Sequence, residues 1–276
     1  MSVTLAVLTS DPNLVRCELH RLAGQVDLQE EGRANAVGIG AYSGDDVLLR
    51  RLPSDTNLTL DALAPPHETE ALLFHARRLP LGMSLEENTQ PFRVRRWLFA
   101  HQGSVQHFDE VRARLQESLP DFLRRQIHEE TDSGLAFGLF LKRLKDTGHT
   151  DDPRLEAAVA GRALVETARE LAQASREAGA ARASTVNLVA TNGFVLVATR
   201  QGSLPLYYTR LEGTDACEVC GITPSTPETQ PGVTAHRRRH SVVVASHVRR
   251  PAGWVELPEG TTLAVSQDLQ VRHLSP

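Results

Sequence analysis

The chain is poor in lysine, cysteine, aromatic side chains and long apolar runs, and each shortage closes a class of function. Lys142 and Lys145 are its only lysines, so 28 of its 30 basic residues are arginine, and 34 acidic residues outnumber them for a net charge of −4. That balance gives no electrostatic reason to bind nucleic acid. Three cysteines in 276 residues are too few for a disulfide framework. The apolar stretch "LAFGLFL" at 135–141 is far shorter than the roughly 20 residues that cross a bilayer. The opening "MSVTLAVLTSDP" lacks the basic segment and extended apolar core of a secretory signal. A cytoplasmic protein with neither membrane nor nucleic-acid partners is expected. What is present is ordinary for a globular chain: 41% hydrophobic and 23% charged residues, read here as a single domain over 1–276.

Apolar, β-prone residues at 4–10 predict a strand. Asp11-Pro12 then opens a helix with Leu14, Cys17, Leu19 and Leu22 on its apolar side. Strands at 36–43 and 46–52 flank Gly44-Asp45, a hairpin signal. A mostly buried strand is expected at 70–78, a polar loop at 82–92, and a strand at Trp97–Ala100 that ends on His101-Gln102-Gly103. Phe108, Val111, Leu115 and Leu119 have helical spacing. A second helix covers 133–148, capped by Thr131 or Asp132. A long amphipathic helix covers 151–179, with Pro153 in its first turn and Leu155, Val159, Leu164, Ala168 and Leu171 in its buried stripe. Asn192-Gly193 marks another hairpin. Further strands fall at 205–210, 241–248, 261–265 and 269–274, and 211–240 is one long irregular segment. Strands, then helices, then strands indicate an α+β protein with sheets packed on helices, not an alternating βαβ chain.

Several short stretches line up in order: the opening "MSVTLAVLTSDP", "VGIG" at 37–40, "HAR" at 75–77, "ENTQPF" and "WLFAHQG" between 87 and 103, "TDSG" at 131–134 and "VATR" at 197–200. Together they resemble the class II glutamine amidotransferases of the N-terminal-nucleophile fold, in particular their stand-alone small-protein branch. The resemblance implies a four-layer αββα sandwich and glutamine amide hydrolysis. In that chemistry an N-terminal cysteine attacks the amide carbonyl, with its own α-amine as base. A free α-amine, with a pKa of about 8, suits that role at neutral pH. Carried onto this sequence, the resemblance makes Arg77 the clamp for the substrate carboxylate and Asp132 the partner of its ammonium, with His101 beside them. Gln102 and Gly103 stand where the family places an oxyanion hole of an asparagine amide and a glycine N–H.

The sequence departs from that pattern at the chemistry itself. Ser2 stands in place of cysteine, Gln102 in place of asparagine, Pro80 follows the arginine segment, and Gly134 ends the "TDSE" pattern. A neutral hydroxyl is a much weaker nucleophile than a thiol, and a lost oxyanion donor typically costs about 10²–10³ in rate. The expectation is a class II glutamine amidotransferase-like protein with impaired or lost glutaminase activity that binds glutamine or a γ-glutamyl ligand and requires no cofactor. Two alternatives stay open: an active Ser-dependent N-terminal-nucleophile amidase, for which Met1 must be removed, and a non-catalytic subunit that binds a protein partner through 236–240 or the 151–179 helix. Each proposed residue also has a plainer reading. His75 and His101 suit core-edge histidines bonded to carbonyls, Asp132 a helix cap, Gln102-Gly103 a turn, and "HRRRH" at 236–240 a solvated basic patch.

One signal stands apart. Cys217-Glu218-Val219-Cys220, followed by His236 and His240, has the spacing of a C-x2-C…H-x3-H zinc site. The residues between them, rich in proline, are not expected to form the helix of a zinc finger. A structural zinc site, a redox pair or unbonded thiols are the options.

Overall fold

In the computed structural model residues 2–29, 34–53, 58–127 and 131–275 are described. The chain opens with β1 (Ser2–Thr9) and α1 (Val15–Arg21), then the hairpin β2 (Ala36–Ser43) and β3 (Asp46–Leu52). A short α2 (Leu60–Leu63) leads to β4 (Ala71–Arg77), and a short α3 (Leu85–Asn88) to β5 (Phe92–Val94) and β6 (Trp97–Ser104). Helices follow: α4 (Phe108–Glu117), α5 (Asp121–Arg124), α6 (Asp132–Asp146) and α7 (Ala157–Glu177). The chain then returns to strands β7 (Thr185–Thr191), β8 (Leu196–Thr199) and β9 (Tyr207–Leu211), helix α8 (Pro231–Arg238), and strands β10 (Ser241–Ala245), β11 (Val255–Glu256), β12 (Thr262–Val265) and β13 (Val271–Leu274).

The strands form two antiparallel sheets, ordered β11-β9-β10-β1-β4-β2-β3 and β13-β12-β8-β7-β6-β5. Strand alternation explains why they stack in four layers. In β1, Val3, Leu5 and Val7 point to one side and join a core with Leu19 and Leu22 of the α1 segment and Leu60 and Leu63 of α2. Ala6 and Leu8 point to the other side, into a core shared with Leu98 and Ala100 of β6 and Val189 of β7. From β6, Trp97 and Phe99 face outward onto Phe137 and Phe140 of α6, and that outer core runs along α7 through Leu164, Ala168 and Leu171. Three apolar seams thus separate helices, sheet, sheet and helices, the αββα order. Gly38 and Gly40, the glycines of "VGIG", let the sheets approach. A Cβ at Gly40 would lie 2.5 Å from the Leu98 side chain, and one at Gly38 would lie 2.3 Å from the Gln90 carbonyl oxygen.

Several boundaries differ from the sequence expectations. Helix α7 starts at Ala157, not 151, so Pro153 lies outside it. The Asp152 carboxylate instead accepts from Arg154 N–H at 2.9 Å, a local turn that competes with helix. Leu155 is buried all the same. The Asn192-Gly193 turn is longer than a two-residue hairpin, because Asn192 Oδ1 accepts from both Phe194 and Val195 N–H at 3.0 Å. The segment read as irregular contains α8, opened by Pro231 in its first turn. Among the described residues no helix is long and apolar enough to cross a membrane.

Candidate active site

Five strands, β1, β2, β4, β6 and β7, meet here. Ser2, the first residue of β1, pairs with Arg77, the last of β4, which also pairs with Ala36 of β2. Gln102 of β6 pairs with Asn187 of β7. By alternation Ser2, His75, Arg77, Gln102 and Asn187 share the inter-sheet side with Ala6, Leu73, Ala100 and Val189. His101 takes the opposite side, toward α6. Ser2, Arg77 and Gln102 lie on the inter-sheet side and His101 on the α6 side, and Arg77 links the two by reaching Ser133, which His101 and Asp132 also contact.

Its hydrogen bonds are specific. Gln102 Nε2 donates to the Ser2 carbonyl oxygen at 3.1 Å, and Gln102 Oε1 accepts from Asn187 Nδ2 at 3.2 Å. Asn187 is itself held, its Oδ1 accepting from Gln201 N–H at 3.0 Å. Gly103 has φ +127°, and a Cβ there would lie 2.0 Å from the Thr185 carbonyl oxygen. Glycine is required at that position by the backbone alone. Arg77 donates to the Asn88 carbonyl at 2.7 Å and to the Ser133 hydroxyl at 3.3 Å. It is a mostly buried guanidinium, its pKa lowered by desolvation against the attraction of Asp132.

Asp132 is the first residue of α6, and Thr131 is the cap, its hydroxyl accepting from Gly134 N–H at 3.1 Å. Both Asp132 oxygens are engaged within the chain. Oδ2 accepts from Val105 N–H at 3.0 Å and Oδ1 from Ser133 N–H at 2.7 Å, while the Ser133 hydroxyl lies 3.2 Å from Oδ1 and shares its one proton between that oxygen and His101. His101 Nδ1 lies 3.0 Å from the Ser133 hydroxyl and 3.9 Å from Asp132 Oδ1, with Nε2 3.4 Å from the Thr185 carbonyl. The carbonyl requires Nε2 to carry the proton, so Nδ1 is an acceptor. Burial holds the His101 pKa down, opposed by Asp132. His75 is fully buried, and burial, then the Arg77 charge, drives its pKa well below the ordinary value.

Around Arg77 a set of buried polar atoms lacks well-formed hydrogen bonds: Arg77 Nε, Asn88 Oδ1, Gln90 Nε2 and both His75 ring nitrogens. Asn88, Gln90, Ser133 and Asn187 were given no role from the sequence. The signal for Asn187 is its register opposite Gln102. That for Gln90 is its place in "ENTQPF", from which its Oε1 accepts the His101 N–H at 2.7 Å.

A family model described as "Glutamine amidotransferases class-II" matches residues 32–275. The chain belongs to the class II glutamine amidotransferase family. The matched span begins after β1, so this amidotransferase homologue owes the placement of Ser2 to the strand pairing of β1 with β4 and β10. A comparison with curated sequences returns no match. Solved structures share the fold. A glutamine aminotransferase class-II domain protein from Silicibacter pomeroyi aligns with a TM-score of 0.61 at 20% identity, over 99% of this chain and 100% of that one. A predicted glutamine amidotransferase from Pseudomonas aeruginosa PA01 aligns with a TM-score of 0.57 at 17% identity, over 98% of each. The glutamine phosphoribosylpyrophosphate amidotransferase of B. subtilis, complexed with ADP and GMP, aligns with a TM-score of 0.56 at 14% identity, over 99% of this chain and 49% of that one.

The cysteine–histidine group of this amidotransferase homologue differs from its sequence reading. Cys217, Cys220 and His236 converge, but His240 does not join them. Its Nδ1 lies 2.6 Å from Glu212 on the surface. The fourth position belongs to Cys17 of α1, and the ligand atoms of Cys17, Cys217, Cys220 and His236 all lie within 4.8 Å of one another. Only part of 236–240 is a solvated basic patch: Arg237, Arg238 and His240 are exposed. His236 and Arg239 are buried, Arg239 Nε lies 2.6 Å from Glu18 Oε1, and Arg237 pairs with Asp215 and Glu228. The apolar stripe of α7 is covered by the second sheet, while Arg162, Glu166 and Gln173 on its other face are exposed.

Proposed function

We propose that this class II glutamine amidotransferase homologue has impaired or lost glutaminase chemistry and retains a site for glutamine or a γ-glutamyl compound centred on Arg77. The observation that carries the first half is the Gln102 amide. Its Nε2 donates to the backbone carbonyl of Ser2, the residue at the nucleophile position, and its Oε1 is fixed by Asn187. An amide so engaged is not aimed at a developing oxyanion, and loss of one such donor costs about 10²–10³ in rate. The serine hydroxyl in place of a thiol compounds the loss. The second half rests on the buried donors without partners, Arg77 Nε and Gln90 Nε2. A ligand carboxylate at Arg77 satisfies such groups, whose burial unpaired is costly.

The test is ammonia release from glutamine by the wild type beside a Ser2→Cys, Gln102→Asn double variant, with calorimetry of glutamine and glutamate binding. Activity confined to the double variant, with wild-type binding weakened at least tenfold by Arg77→Ala, is the expected result. Robust wild-type turnover overturns the loss of chemistry. Binding heat that is absent, or unchanged by Arg77→Ala, overturns the ligand site. The Ser-dependent amidase is the second reading, favoured by the position of Ser2 beside Arg77 between the sheets. It requires a free α-amine on Ser2, so an intact mass that includes Met1 ends it.

A further inference from the structure

We infer that Cys17, Cys217, Cys220 and His236 bind one zinc ion, which fastens the segment between β9 and β10 to helix α1. The four side chains come from three separate parts of the chain and still place all their ligand atoms within 4.8 Å of one another. Cys17 Sγ and Cys220 Sγ are 3.5 Å apart and unbonded. A tetrahedral zinc with Zn–S of about 2.3 Å separates two thiolates by about 3.8 Å, whereas a disulfide brings them to about 2.05 Å. The observed spacing excludes a disulfide and lies within about 0.3 Å of the first arrangement.

The histidine supplies an independent observation. His236 is 1% exposed. Its Nδ1 lies 2.7 Å from the Gly232 carbonyl, one turn earlier in α8. That carbonyl fixes the proton on Nδ1, and Nε2, the remaining lone pair, is buried without a partner. A ring nitrogen held by a carbonyl while the other faces three sulfurs is the arrangement of a metal-binding histidine. Left as a plain core residue, the same Nε2 is an unsatisfied buried acceptor.

The backbone of the C-x2-C segment is shaped for the purpose. Cys217 and Ile222 exchange both hydrogen bonds, N–H to carbonyl at 2.8 and 2.9 Å, and Gly221 turns the chain at φ +65°. This small closed turn returns Cys220 toward Cys217, with Ile222 packed against Leu14, Cys17 and Val233. Three thiolates and an imidazole suit zinc, which accepts tetrahedral sulfur and nitrogen ligands and undergoes no redox change. Binding exchanges three thiol protons for one divalent cation and leaves the site with one negative charge. Four protein ligands leave no open position, so the role is structural.

The protein, expressed at full length and purified under reducing conditions without an immobilised-metal column, is to be analysed for metal by plasma mass spectrometry. One zinc per chain is expected, retained in full by His240→Ala and lost from Cys17→Ser and His236→Ala. Chelation is expected to lower Tm by about 5–10 °C, restored by added zinc. Because a cysteine variant can fail to fold, wild-type protein exchanged with cobalt gives the second readout. Intense visible bands of a tetrahedral thiolate complex support the assignment. Zinc absent before and after reconstitution, with three alkylatable thiols or a Cys17–Cys220 disulfide in the intact mass, overturns it. Zinc lost from His240→Ala but kept by Cys17→Ser overturns this ligand set.

Discussion

Gly103 shows how a single residue can be fixed by geometry before any chemistry is considered. Its φ of +127°, and the 2.0 Å that would separate a Cβ there from the Thr185 oxygen, leave room only for hydrogen. Thr185 also offers that oxygen to His101 Nε2 at 3.4 Å, so a methyl group at 103 would push on the hydrogen bond that sets the His101 tautomer. Gly103→Ala is expected to destabilise the fold by about 2–4 kcal/mol, read as a fall in the urea midpoint at pH 7.5. An unchanged midpoint would show that β6 relaxes freely at this point. The same scale explains why the roles of Gln102 and Asp132 were hard to read. Residue type and order placed both in the site, but the partners that engage them, the Ser2 carbonyl, Asn187 Nδ2 and Val105 N–H, come from distant parts of the chain and have no local pattern.

At the scale of elements, the strands were legible because alternation of apolar residues survives in them. Val3, Leu5 and Val7 against Ala6 and Leu8, or Trp97 and Phe99 against Leu98 and Ala100, separate cleanly into different cores. Short pieces such as α2, α3, α5, β5 and β11 are not legible, since two to four residues span about one period and show no repeat. Helix α8 was hidden by prolines, one of which starts it. Cys17 was hidden by its own helix, where it reads as one more apolar residue of α1. The same helix carries Glu18, whose carboxylate is 0% exposed and lies between Arg239 at 2.6 Å and Arg21 at 3.2 Å. Burial pushes the Glu18 pKa up, opposed first by Arg239. Removing that partner leaves a buried charge to the half-buried Arg21 and the Ser241 hydroxyl. Arg239→Met is expected to cost about 3–5 kcal/mol, and the Glu18→Gln, Arg239→Met pair clearly less. Urea unfolding of both, with zinc held constant, decides it. Equal costs would show that the pair stabilises by packing and not by charge.

For the molecule as a whole, the four-layer stack buries two histidines near Arg77, His75 between the sheets and His101 on the α6 side, and this shapes how stability responds to acid. Both His75 and His101 have pKa values lowered in the folded state, by burial first, with Arg77 adding to the effect on each and Asp132 opposing it at His101. The unfolded chain takes up protons on these rings below about pH 6.5, while the folded chain does not. Above that pH both states are neutral and the histidines contribute no pH dependence. As pH falls through about 6.5 the unfolded state binds more protons, and stability drops by about 1.4 kcal/mol per pH unit for each ring until the folded-state pKa is reached. Glu18 acts with the opposite sign, because its raised folded-state pKa favours the folded chain as the carboxyl protonates. Replacing one ring isolates its share. His75→Leu removes a fully buried group without well-formed hydrogen bonds, so it is expected to fold and to flatten the loss of stability between pH 7.5 and 5.5 by roughly half. The measurement is the urea unfolding free energy of both proteins at half-unit pH steps. Parallel curves would mean that His75 protonates as readily inside the stack as outside it, and that the inter-sheet centre is open to water.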